Sequence, residues 1–398
     1  MGSIERLFVG TRKGLFIIER TSSRWDVRDV VFEGDNVPML LPDVRDGTLY
    51  VVISHGHFGN KLHRSEDGGR TFRELPAPAY PAKPDGEVDI DPVRGGERSW
   101  NLELVWCLEA GGPERPGRVW AGTIPGGLFR SDDRGESWQL MRSLWDRPER
   151  KKWFGGGMDR PGIHSIAVDP RDPDHLLLGI SCGGIWRTRD AGASFSLEGE
   201  GLRADYVPPD RAQDPNTQDP HRLACCRANP DVVWVQHHNG IFRSENAGKS
   251  FIELSTATPS AFGFAVAAHP HDPQTAWFVP ASKDDRRIPV DRRLVVMQTR
   301  DGGKSFEAKT RGLPDRFAYD LVYRHALDVD GSGTLLALGS TTGNLWISEN
   351  GGDSFSVVSQ NLPPIYALRF VTGKLRSPGY ESLVPPPRGE SLIPSASG

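Results

Sequence analysis

The chain is poor in the features that mark several common function classes. Only 4 of its 398 residues are cysteine. Cys225 and Cys226 are adjacent and badly placed to pair with each other, while Cys107 and Cys182 are scattered. With no CxxC spacing there is neither a thiolate zinc pattern nor a redox motif, so reduced thiols are expected. No apolar run approaches the length that spans a bilayer. Glu5 and Arg6 stand where a secretory leader needs its apolar core, which makes a cytoplasmic location the expectation. One-sided charge is also lacking: 48 Lys and Arg stand against 52 Asp and Glu, a formal net charge of −4. Neither nucleic acid nor an anionic membrane is therefore an expected partner. Long helices are disfavoured by 45 glycines and 32 prolines, which break the chain into short pieces.

One short turn is written six times. It begins at Ser65, Ser131, Thr188, Ser244, Thr299 and Ser348, in stretches such as "FRSDDRGESW", "WRTRDAGASF" and "WISENGGDSF". Each copy has the form Ser/Thr–x–Asp/Asn–x–Gly–x–Ser/Thr–Phe/Trp. Arg usually stands immediately before the first hydroxyl, and "MQTRDGGKSF" has Gln298 there instead. An Asp or Asn side chain can accept hydrogen bonds from its own turn, Gly supplies a left-handed backbone, and the final aromatic packs down.

This turn resembles the Asp box of the sialidase-type BNR repeat families. The resemblance implies a β-propeller whose boxes join the third and fourth strands of each blade, on the rim away from the active site. The turn is then scaffold. The residues before each box agree, with four short β-rich runs per unit. The predicted fold is all-β, a seven-bladed propeller over residues 1–371. Its first blade lacks an inner strand, and the lone pattern "PIYALRFV" near the C-terminus is expected to supply it and close the ring. Residues 372–398, rich in Pro, Ser and Gly, read as an extended or disordered tail.

In such a ring, the loops entering the inner strands and those between second and third strands share one face. The entering loops 75–100, 141–162 and 199–220 are long, and so is the link "ASKDDRRIPVDRR" of the sixth blade. Long loops on a rigid scaffold mark a binding surface. Aligning the blades puts one residue of each at the opening of its inner strand: Trp106, His164, His221, Phe264, Asp320 (or Tyr319) and Tyr366. The turns after second strands hold His55, His57, Cys182, His237 and His238. The remaining histidines, His63, His175, His269, His271 and His325, read as surface or turn residues.

Clustered imidazoles suit two kinds of chemistry. His55, His57, His164, His221, His237 and His238 are candidate ligands for one divalent transition metal (Zn, Mn, Fe, Ni or Cu) with an open position. Alternatively, His164 and His221 act as general acid or base with Asp320 or Tyr366 as partner. A hydrogen-bonded plug of the channel is the structural role open to any one of them. Trp106, Phe264, Lys151, Trp153, Arg160, Arg203, Tyr206 and Arg287 are candidate substrate contacts. Cys182 is expected to be a small buried thiol, and "WFGGGM" lacks the lysine of a phosphate loop.

The sequence departs from sialidases. Its Arg287, Ile288 and Pro289 lie in the sixth blade rather than near the start, and seven blades are counted where sialidases have six. Glu103, Asp159, Asp205 and Asp320 are on the right face for glycosidase chemistry, but nothing in the sequence pairs them. A His-rich axial site on seven blades is similar instead to certain polysaccharide lyases of that fold. The reading is an enzyme acting on a small polar, carbohydrate-like molecule by metal- or His-assisted hydrolysis or elimination. Its rival is a non-catalytic propeller that binds a protein or ligand through the same face, as assembly factors of these families do. Oligomeric state has no signal in the sequence.

Overall fold

The computed structural model describes residues 5–22, 24–156, 158 and 160–372. The expected tail lies outside these residues, apart from Thr372, which ends a strand. Seven four-stranded antiparallel sheets form the ring of a seven-bladed propeller. Among the described residues, no helix is long and apolar enough to cross a membrane.

Blade 1 combines Glu5–Thr11, Gly14–Arg20 and Trp25–Val31 with the last strand, Ile365–Thr372, which pairs antiparallel to Glu5–Thr11 and lies innermost. The other inner strands are Met39–Asp43, Leu104–Ala110, Ile163–Asp169, Pro220–Cys225, Gly263–Ala268 and Leu327–Val329, in blades 2 to 7. The middle strands are apolar on both faces because each sheet is sandwiched between two neighbours; Val119–Ile124 and Ala276–Pro280 are buried throughout. Trp120, Trp186, Trp234, Trp277 and Trp346 fill the spaces between blades.

The repeated turn is tied by its own side chains. In blade 3, Ser131 Oγ donates to Asp133 Oδ1 (2.7 Å) and accepts from the Gly135 N–H (2.8 Å). Asp133 then accepts from the Ser137 N–H (2.9 Å) and hydroxyl (2.5 Å). Blade 5 makes the same bonds around Asn246, whose amide donates to Ser250 Oγ at 2.8 Å. In blade 6 the Ser305 hydroxyl and N–H hold the Asp301 carboxyl down to about 2. A carboxyl depressed in the fold stabilises it above the unfolded value of about 4, and that contribution fades as pH falls toward 2.

The arginine before the box has a separate role: it clasps the next blade. Arg64 donates to the carbonyl of Arg134 (2.9 Å), Arg130 to that of Ala191 (3.0 Å) and Arg187 to that of Ala247. Each acceptor is the left-handed residue of the neighbouring box, with φ of 61°, 55° and 59°. That conformation turns the carbonyl out of its own ladder and toward the adjacent blade. Gln298 performs the same task, reaching the Gly351 carbonyl at 3.1 Å.

The inner strands carry one more shared feature. In blades 3, 4, 5, 6 and 1 the register slips by one residue, leaving Trp106, His164, His221, Phe264 and Tyr366 unpaired. A bulge of this kind re-aims a side chain. Here it directs one residue per blade toward the axis. Blade 7 departs from the sequence alignment, because its inner strand begins only at Leu327 and the Gly339 N–H bonds to the Ala326 carbonyl. The axial residue of that blade is therefore His325, five positions beyond Asp320. The extra residues form an entry segment with strand-like alternation, which misled the alignment.

Arg187 is 2% exposed and bonds Glu198 and His175 as well as Ala247. Arg187→Met, which keeps the bulk and removes the donors, is expected to cost about 1–3 kcal/mol of stability. Thermal or urea unfolding checks this; an unchanged midpoint would show that the clasp contributes nothing.

Candidate functional site

A cavity of about 780 Å³ opens on the face built by the entering loops. All seven blades or the loops entering them contribute: Tyr366 of blade 1, Ser54, Trp106, Cys182, His238, Phe264 and Tyr323 among others. Six aromatic side chains stand in its wall, Trp106, Phe154, Tyr206, Phe264, Tyr323 and Tyr366. Large apolar walls with a few convergent polar groups are the usual form of a small-molecule site.

The polar groups converge on Asp219, His221 and His238, each of which offers a ligand atom within 4.8 Å of the others. Asp219 and His221 are 3% exposed. Asp219 Oδ1 accepts from Ser181 Oγ (3.0 Å) and the Cys182 N–H (3.1 Å), which leaves Oδ2 to face the imidazoles. Oδ2 lies 3.4 Å from His221 Nε2 and 3.6 Å from His238 Nδ1. The far side of each ring has a partner. His221 Nδ1 is 2.6 Å from the Gly263 carbonyl, an interaction that places the proton on Nδ1. His238 Nε2 is 3.6 Å from Asp284 Oδ2. His221 also stacks on Phe264, with ring centroids 4.6 Å apart and planes at 13°.

This arrangement has a chemical consequence. A neutral His221 protonated on Nδ1 points the Nε2 lone pair at a carboxylate oxygen. Two electron-rich atoms face each other, and a cation between them resolves the repulsion. Burial, then the nearby Arg324 guanidinium, push His221 down and keep it neutral, despite Asp219. Burial opposes ionisation of Asp219 itself, but the hydrogen bonds it accepts and the Arg324 guanidinium hold its carboxyl well below the usual range. Neutral imidazole with ionised carboxylate is the state that binds metal. Outer partners that fix ring orientation, as Gly263 and Asp284 do here, accompany metal-ligating histidines. Gly156 of the "WFGGGM" loop crosses close by: a Cβ there would sit 2.8 Å from Cys182 Sγ and 3.2 Å from Asp219 Oδ2.

The residues singled out in the sequence distribute unevenly. His221, His238, Trp106, Tyr206, Phe264, Arg287 and Tyr366 line the cavity. His164 is fully buried with its ring edge on Trp106 at 5.4 Å, its Nδ1 2.9 Å from Ser165 Oγ and its Nε2 without a partner. His237 lies within the sheet: both ring nitrogens face backbone N–H groups, of Asp219 and Asn239 at 3.1 Å, and burial pushes it down to about 3. His55 sits 3.6 Å from Asp35 of the loop entering blade 2, and His57 is exposed beside it; neither lines the cavity.

Three substrate candidates have other partners. Trp153 is fully buried and donates to Asn216 Oδ1 at 2.9 Å, so it is core. Lys151 pairs with Glu87 at 2.8 Å, and Arg203 with Glu253 at 2.8 Å and with Asp205. Arg160 stands behind the wall, 2.6 Å from Glu103, which lines it. Asp320 is away from the cavity: its Oδ1 accepts from Ser340 Oγ (2.8 Å), Asn344 Nδ2 (2.7 Å) and Thr342, and caps that turn. Asp159 lies outside the described residues. His325 and His63, expected at the surface or in turns, are buried at 4% and 9% exposure. Burial, then Asp219, push the Cys182 thiol well up, which leaves it no thiolate at neutral pH.

Asp219 and Arg324 were absent from the sequence reading, and His325 was read there as a surface or turn residue. Asp219 had a legible signal: it stands two residues before His221, and alternate residues of an extended chain share a face. Arg324 and His325 were hidden by the blade 7 misalignment.

No family model matches the chain. A probable oligoxyloglucan-reducing end-specific xyloglucanase of Neosartorya fischeri is 24% identical over 273 residues, 61% of this chain and 30% of that protein. The xyloglucanase of Hypocrea jecorina is 23% identical over 260 residues, 62% of this chain and 25% of its own length. The chain thus spans less than a third of the curated relatives it matches here. Among solved structures, the GH74 xyloglucanase of Xanthomonas campestris superposes with a TM-score of 0.58 at 16% identity, over 89% of this chain and 52% of that one. At that identity the likeness speaks for the fold alone.

Asp320→Ala is expected to lower stability by about 2–4 kcal/mol, since it strips three donors of a buried charged acceptor. Calorimetry on the variant checks this, alongside ligand binding at the cavity. Loss of binding with unchanged stability would instead place Asp320 in the site's chemistry.

Proposed function

We propose that the axial cavity is the active site of an enzyme acting on a small polar, carbohydrate-like molecule by metal-assisted hydrolysis or elimination. The observation that carries this reading is the convergence of Asp219 Oδ2, His221 Nε2 and His238 Nδ1. Two imidazoles and one carboxylate make a three-point set for a divalent transition metal that leaves positions for water or substrate. Bound there, such an ion would polarise a substrate oxygen or lower the pKa of a coordinated water. The protein's own part is positional. Ser181 and the Cys182 N–H orient the carboxylate, the Gly263 carbonyl and Asp284 orient the rings, and the aromatic wall excludes water around a sugar-sized ligand.

The weak similarity to xyloglucanases supports a carbohydrate as substrate class, since those relatives hydrolyse glycosidic bonds. Only part of each relative is spanned, so substrate and activity are inferred from the cavity as much as from kinship. His164, buried behind Trp106, is a positioning residue in this reading rather than a ligand.

Plasma mass spectrometry on protein purified without a polyhistidine tag tests the proposal. About one transition metal per chain is expected, retained in His57→Ala and lost from Asp219→Ala and His221→Ala while both variants stay folded. Absence of metal, with none taken up on reconstitution, would overturn it and leave a binding propeller.

A further inference from the structure

Among the described residues, Arg324 is a buried cation with no hydrogen-bond acceptor. The residue is 8% exposed, yet it lines the cavity. Its guanidinium lies 4.8 Å from the centre of the Trp106 ring and 5.4 Å from that of Phe264. These rings come from blades 3 and 6, so the charge stands near the propeller axis, held by aromatic faces that fix its place without using its N–H donors. Its Nε is buried and has no hydrogen-bond partner, and no carboxylate pairs with it among the described residues. The other deeply buried arginines are different: Arg150 reaches Asp89 at 2.8 Å and Arg187 reaches Glu198 at 2.9 Å. Burial pushes Arg324 down to about 10, with Asp219 opposing at longer range, so the group stays charged at neutral pH. A second guanidinium, Arg287, sits 5.4 Å from the same Phe264 ring and also lines the cavity.

A buried, unpaired guanidinium is costly to keep, and the cost is recovered when a ligand supplies the missing acceptor. The fork of donors fits a two-oxygen anion better than a single hydroxyl. The acidic groups lining the cavity are engaged with other partners: Asp219 and Asp284 flank opposite nitrogens of His238, Glu103 pairs with Arg160 and Asp285 with Lys283. We propose that Arg324, with Arg287 beside it, receives an oxyanion of the substrate, a carboxylate or phosphate carried by a sugar-sized polar molecule. This rests on the cavity being the substrate site. It narrows the substrate class from neutral sugars to acidic ones, such as sugar acids or sugar phosphates. The anionic end docks at Arg324 while the remainder lies against Trp106 and Phe264, within reach of the Asp219 set.

Three probes decide it: glucuronate, glucose 6-phosphate and glucose, titrated into the full-length protein by calorimetry and saturation-transfer NMR. At least one charged sugar is expected to bind tenfold or more tightly than glucose, and which of the two does so identifies the anion. Arg324→Gln is expected to weaken that binding at least tenfold and to leave glucose unaffected. Because Arg324 packs between two rings, Arg287→Gln provides a second variant, with an expected loss of about three- to tenfold. Metal content measured on Arg324→Gln separates the two proposals: retained metal with lost anion preference supports this inference, independent of turnover. Equal binding of all three probes, or unchanged charged-sugar binding in folded Arg324→Gln, would overturn it even if metal is present.

Discussion

Everything at the axis depends on closing the ring. The antiparallel pairing of Glu5–Thr11 with Ile365–Thr372 joins residues about as far apart as the described chain allows. It leaves blade 1 with four strands and no unpaired edge at the junction. It also places Tyr366 on the cavity wall opposite residues contributed by six other blades. Between blades, the guanidinium-to-box clasps keep the ring in register from the outside, while buried tryptophans fill the interior. The scaffold is thus tied at its rim and its seam, which leaves the axial ends of the inner strands available for function.

Those ends are shaped by one device used repeatedly. The bulge near the axial end of five inner strands lifts a single residue out of the ladder and points it inward. In four of the blades it presents an aromatic or an imidazole that meets its neighbours: Trp106 against His164, His221 against Phe264, Phe264 against Tyr323. Charged groups are added from outside the repeat, by Asp219 just before blade 5, Arg324 just before the axial residue of blade 7, and Asp284 and Arg287 in the inserted link of blade 6. The site therefore has a repeated aromatic frame and unique polar insertions. Only the latter can distinguish this propeller's chemistry from that of another with the same frame.

The electrostatics follow from burial. In so enclosed a space, a charge with no partner is expensive and a lone pair facing an anion is unfavourable. Asp219 is anchored on one oxygen and open on the other, His221 is held neutral with its lone pair toward that opening, and Arg324 keeps a charge with unused donors. Each is a local deficit, and together they describe a complementary ligand: cationic at one place, anionic at another.

The sequence by itself determined the architecture and half of the axial ring. Six copies of a turn whose hydrogen bonds are all local announce themselves in one dimension, because each bond among Ser131, Asp133 and Ser137 spans four residues or fewer. Blade count, ring closure and the faces of the long loops followed from their spacing, and so did the alignment of Trp106, His164, His221, Phe264 and Tyr366. Tertiary structure decided the rest. Which histidines meet depends on where entering loops fold back, so His238 joins His221 while its neighbour His237 turns into the sheet. Asp320 and Trp153 look like site residues in sequence, yet one caps a turn and the other fills a blade interface. Arg324 was invisible until the short strand of blade 7 fixed its register. Repetition is legible because its physics is local; a site assembled from seven blades is not, because its distances exist only after the ring has closed.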